Sequence, residues 1–106
     1  MMAQKMFKKS QYKKLVENFT NQDGTKDFKV VVKLFNPGGA GTWYLSELNP
    51  ETNEAFGLAD IQEKELGCIS MDELNNFKGF MGLGIERDAG FPENKISFEE
   101  LMKETA

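Results

Sequence analysis

Val30-Val31-Val32-Lys33-Leu34-Phe35, then Asn36-Pro37-Gly38-Gly39-Ala40-Gly41, then Thr42-Trp43-Tyr44-Leu45: this run decides the fold. Phe28, Val30, Val32 and Leu34 alternate with Lys29, Val31, Lys33 and Phe35, which predicts a half-buried strand over residues 27–35. Residues 42–48 open with β-branched and aromatic side chains and predict a second strand. The glycines between them invite a phosphate-cradle reading, because successive backbone N–H groups can approach an anion. Phosphate loops, however, run from a strand into a helix and usually supply a lysine. Here the loop joins two strands, so a hairpin is the favoured reading, with the glycines supplying positive φ or a bulge and Pro37 one turn residue.

Working outward, Ser10 is read as the N-cap of a helix over residues 10–19, with Tyr12, Leu15, Val16 and Phe19 as its apolar stripe. Asn21-Gln22-Asp23-Gly24 is a turn, and Asn49-Pro50-Glu51-Thr52-Asn53 another. Residues 54–60 read as a third strand, with Gly57 as a bulge position, and 65–69 as a fourth. Ser70 and Glu73 have capping-box spacing and open a helix through Leu74, Phe77 and Lys78, which the glycines of 79–84 stop. Residues 82–88 read as a short fifth strand or an extended connection. Ser97 and Glu100 repeat the capping-box spacing and start a terminal helix with Phe98, Leu101 and Met102 on one face. The expected fold class is α+β: an antiparallel meander of four to five strands, with an N-terminal helix and two later short helices packed on it, in one domain over 1–106.

With 106 residues, 40% apolar and 28% charged, the chain suits a single core and argues against global disorder. It lacks an apolar run of membrane-spanning length, and its N-terminal lysines are scattered where a signal peptide would be unbroken and apolar, so the expected location is the cytoplasm. The lone Cys68, between Gly67 and Ile69, reads as a small core residue in a reducing compartment. There is no histidine, which removes the commonest general base and metal ligand and most nucleophile pairings, and no cofactor is implied. Residues 1–16 carry five lysines and no acid, while the remaining 90 carry 8 bases and 17 acids. Such polarity marks either an electrostatic contact or, more commonly, a solvated helix face.

The 30–37 run with its glycines and Thr42-Trp43-Tyr44 stands in order with three later pieces. These are Phe56-Gly57-Leu58-Ala59-Asp60, Glu65-Leu66-Gly67 with Ser70 opening a helix, and Gly84-Ile85-Glu86-Arg87-Asp88. Together they resemble domain of unknown function family 2958, small proteins of bacteria, plasmids and phages, over about residues 10–91. The most specific parts are the run from Lys33 to Trp43 and the Glu86-Arg87-Asp88 triplet, which Phe91 follows as the family's pattern suggests. Ala89-Gly90 stands where many members have bulkier residues. The resemblance implies a fold, a bacterial or mobile-element setting and two residue clusters, and no reaction.

Three functional readings follow. In a regular strand Trp43, Leu45 and Glu47 share one face and Tyr44 and Ser46 the other, so either both aromatics are covered by helices or one stays exposed as an anchor. The leading reading is a non-enzymatic accessory domain that binds another protein, host- or element-encoded. Its surface would combine Asn36, Gly39, Gly41, Trp43 and Tyr44 with Glu47, Glu86, Arg87 and Asp88, Arg87 clamping a carboxylate such as Glu47. A second reading is nucleic-acid binding through Lys8, Lys9, Lys13 and Lys14, against which the acidic remainder weighs. A third is a carboxylate metal enzyme using Glu47, Glu86 and Asp88. A membrane partner is not expected, and the sequence leaves the oligomeric state open.

Overall fold

The computed structural model describes residues 6–104. Its helices are α1 (Lys9–Asn21), α2 (Met71–Asn76) and α3 (Phe98–Lys103). Its strands are β1 (Val32–Phe35), β2 (Thr42–Asn49), β3 (Glu54–Asp60), β4 (Lys64–Ser70) and β5 (Glu86–Arg87). A short 3-10 turn spans Phe80–Gly82. All pairings are antiparallel, in the order β4-β3-β2-β1-β5. The α+β architecture expected from the sequence is therefore observed, and the fifth strand crosses to the far edge, beside β1.

The first strand is shorter than its alternation predicts. Its ladder begins at Val32: Val31 N–H still donates to Leu45 O of β2 at 2.8 Å, but Val30 is held elsewhere, its N–H donating to Ile96 O at 2.9 Å and its carbonyl accepting from Asn94 N–H at 2.8 Å. Val31 and Val32 consequently belong to one core and Val30 to the other, which breaks the period of two.

Helix α1 covers one sheet face. Leu15, fully buried, shares one core there with Leu34, Trp43, Leu45 and Leu48, while α2 adds Met71 and Leu74 to it. The buried line of α1 is Gln11, Leu15 and Asn18, not the expected apolar stripe: Tyr12 and Val16 are half-buried and Phe19 is 39% exposed. Two polar residues are tolerated under a helix because both are bonded. Gln11 Oε1 accepts from Lys8 N–H at 2.8 Å and its Nε2 donates to Glu93 at 2.9 Å, while Asn18 Nδ2 donates to Ser46 O at 2.9 Å. Ser10, expected as the N-cap, lies inside the first turn; the cap position is Lys8, and Gln11 satisfies its N–H.

The opposite face carries the smaller core of Val30, Leu58, Phe98 and Leu101, with Tyr44, Phe91 and Ile96 packed against it. The Ser97–Glu100 capping box forms in full, and Ser70 Oγ accepts from Glu73 N–H at 3.2 Å. Lys64 Nζ donates to the carbonyls of Leu101 and Glu104, both at 2.7 Å, closing the C-terminus of α3 onto the start of β4. Helix α2 ends at Asn76, before the expected Phe77 and Lys78. Gly57 is regularly paired, with Leu45 on one side and Gly67 on the other; the irregularity expected there lies across the ladder, on β2 at Ser46. Among the described residues no helix is long and apolar enough to cross a membrane.

Candidate functional site: the two ends of strand β2

The glycine-rich connection is a hairpin turn organised by Asn36. Its Oδ1 accepts from Gly38 N–H at 3.1 Å, its Nδ2 donates to Ala40 O at 3.1 Å, and its backbone N–H donates to Gly41 O at 3.0 Å. Gly41 has φ 128°, and a Cβ there would come within 2.7 Å of the Trp43 ring, so only glycine fits. The N–H groups of Gly38 and Gly39 are thus spent on Asn36, and Gly41 shapes the turn over Trp43.

Trp43 itself is 8% exposed and sits in the core beneath α1, so it cannot anchor a partner. Tyr44 is half-buried on the other face, its ring 6.1 Å from that of Phe91 and 5.7 Å from Lys33 Nζ. Burial raises the Tyr44 phenol above its ordinary value of 10.0, with Asp60, Glu104 and Asp88 adding to the effect. Gly39 remains on the exposed loop.

The second sequence cluster does reach this end of the sheet. Glu86 lies opposite Phe35 and Arg87 opposite Leu34, and Asp88 pairs with Lys33 at 3.7 Å. Arg87 does not clamp Glu47. Glu47 lies four residues further along β2 from Trp43, the partner of Leu34, which is about 13 Å of strand. Its carboxylate accepts from Gln22 Nε2 at 2.7 Å instead, while Arg87 Nε is buried without a partner among the described residues. The same separation parts Glu47 from Glu86 and Asp88. Among the described residues, no group of three or more acidic or cysteine side chains is gathered to hold a metal ion.

Sequence reasoning missed the neighbour of the hairpin. Phe80 and Met81 are 67% and 83% exposed, with Phe77 and Leu83 partly exposed beside them. The turn is fixed by Gly79 N–H to Leu83 O at 2.8 Å and Gly82 N–H to Gly79 O at 2.9 Å, and Met81 sits at φ 57°, a left-handed conformation uncommon for a non-glycine residue. A Cβ on Gly38 would lie 3.0 Å from that of Phe80, so hairpin and turn abut. The signal was present as two large apolar residues between glycines, in a stretch with no helix or strand period to bury them.

At the other end of β2 a bulge changes the geometry. Leu45 pairs with Gly57 but Glu47 with Phe56, so Ser46 is the extra residue and every position after it changes face. Leu48 joins Trp43 and Leu45 beneath α1, whereas Glu47 leaves the face expected for it and turns to the side of Phe56. A cleft of about 480 Å3 opens there between the end of α1, the chain leading into β1, the sheet and α3. Cys68, expected in the core, is exposed on its wall, because β4 is an edge strand whose outer face has no helix over it at that point.

The lysines of α1 face away from the sheet. Lys8, Lys9 and Lys13 are exposed, and Lys14 pairs with Glu17 at 3.5 Å.

An antiparallel sheet with a long helix on one face and a short one on the other, and an organised hairpin beside an exposed apolar turn, defines a small α+β domain. The chain belongs to the family described as "Protein of unknown function (DUF2958)", whose profile matches residues 6–102. The match takes in the segment after Pro92 that forms α3. No curated protein and no solved structure matches the chain.

Proposed function

We propose that the chain is a non-catalytic accessory domain, in a bacterial or phage setting, that binds another protein at the hairpin end of the sheet. One observation carries this reading: Phe80 and Met81 project from a hydrogen-bonded turn that abuts the Asn36 hairpin, leaving a rigid apolar knob in solvent. Exposed large side chains on a fixed backbone lose little entropy when covered, which suits an interface centre. Glu86 and Gly39, both exposed, supply a polar rim, while Arg87 and Asp88 are partly covered beside it. Phe80 and Met81 take the anchoring role that the sequence offered to one of Trp43 and Tyr44.

The test is retention of a partner by immobilised wild-type protein and by a Phe80→Ser/Met81→Ser variant, followed by reconstitution from purified components. The expected result is a distinct protein that binds the wild type at least about tenfold more tightly than the variant. Equal binding by both, or concentration-dependent self-association as the only event at the knob, overturns the reading.

The exposed Lys8, Lys9 and Lys13 keep nucleic-acid binding as the second reading. It requires retention on single- or double-stranded DNA or RNA that falls steeply with salt and with neutralisation of those lysines. Absence of retention at low salt ends it.

A further inference from the structure

The cleft at the bulged end of β2 has the composition of a receptor for an organic cation. Its walls are aromatic, with Phe19, Phe28, Phe56 and Phe98 around it, and Glu47 lies at its inner side, 7% exposed. A carboxylate this deep normally has a counter-ion, because desolvating an isolated charge is costly. None of the ion pairs among the described residues includes Glu47. Lys26, the lysine on the rim, is paired instead with Asp23 at 3.6 Å. Gln22, which donates to Glu47 and also lines the cleft, is itself pinned by accepting from Gly24 and Lys26 N–H groups, so the carboxylate's partner is a neutral amide. Ser46, also on the wall, keeps a buried hydroxyl with no partner among the described residues. Asp27 and Glu54 on the rim add to the negative potential.

We propose that this cleft binds a single ammonium or guanidinium group on an aliphatic stem, the charge against Glu47 and the stem between the phenyl rings. Phenyl faces attract a cation through their quadrupole, and apolar walls exclude water from the ion pair, so the two features act together. The volume of about 480 Å3 admits such a group, presented either by a free amine or by a basic side chain of a peptide. This site lies at the opposite end of β2 from the protein-binding knob and stands independently of it.

The test uses the whole chain with butylguanidinium and butylammonium chloride as probes and butylurea as the uncharged isostere, followed by amide NMR shifts at Phe19, Phe56 and Cys68. Alkylation of exposed Cys68 on the wall gives a second readout, slowed by an occupant. The expected result is saturable binding of a cation with millimolar or better affinity, at least about tenfold tighter than butylurea. Glu47→Gln should weaken it about tenfold while butylurea is unaffected. Phe56→Leu, at an exposed wall position, should also weaken it, and decides the matter together with the urea comparison if Glu47→Gln does not fold. A blocked arginine peptide binding more tightly than butylguanidinium assigns the group to a protein segment; equal affinity assigns it to a free amine. No saturable shift at about 10 mM, or equal binding of butylurea, overturns the proposal.

Discussion

Two glycines facing each other across adjacent strands show how differently one residue type is constrained. A Cβ on Gly57 would stand 1.9 Å from Tyr44 O, whereas one on Gly67, its ladder partner, meets nothing within 4 Å. Gly57→Ala should therefore destabilise the fold by about 3 kcal/mol, as backbone of a central strand cannot yield, and Gly67→Ala should be neutral or stabilising by about 0.5 kcal/mol through the unfolded chain. Urea denaturation of both variants checks the contrast. Tyr44 gives a pH signature at the same scale. Because its folded-state value is raised, chiefly by burial, the folded chain holds the phenolic proton more tightly than the unfolded chain. The associated stability is complete below the unfolded value near 10.0 and is lost as pH rises through the folded one. Ultraviolet titration should show a tyrosine ionising late, absent from Tyr44→Phe, whose stability should fall less over that alkaline range.

Among the elements, those specified by local chemistry were legible in the sequence and those specified by a partner were not. The hairpin, the third strand and the Ser97–Glu100 box were read correctly because turn residues, alternation and cap spacing act within a few positions. The α1 register escaped, since periodicity counts apolar residues and cannot see Gln11 and Asn18, which are buried on the strength of distant hydrogen bonds. The cleft escaped for a related reason: Ser46 is a bulge only with respect to β3. Helix α1 should be costly to undermine. Leu15→Ala, at a fully buried position, is expected to lose about 3 kcal/mol, measured by thermal or urea unfolding. Helix α3 is only six residues long and depends on its cap. Ser97→Ala should cost about 1 kcal/mol. Glu100 is held below its ordinary value of 4.5 mainly by the Ser97 N–H, so its contribution is present above that value and fades as pH falls through the folded one. An acid titration of stability should show that component reduced in Ser97→Ala.

At the scale of the whole molecule, the two proposed contact sites lie far apart along one strand. The two cores line the two faces of the sheet, while the knob and the cleft sit at the two ends of β2. Phe80→Ser/Met81→Ser should accordingly leave unfolding free energy within about 0.5 kcal/mol of wild type, since neither side chain is buried. Equilibrium denaturation checks this, and a large loss would place the turn among the structural elements. The strand that joins the two ends has a further implication for how such a chain can vary. One supernumerary residue at position 46 is absorbed without a partner, so the pairs on either side of it, Leu45 with Gly57 and Glu47 with Phe56, are those of an uninterrupted ladder. Removal of that residue would leave Glu47 and Leu48 on their present faces, whereas drawing it into regular pairing would send the carboxylate beneath the long helix and the leucine into the open cleft. A descendant lacking it would keep both faces of the strand and lose only the local kink.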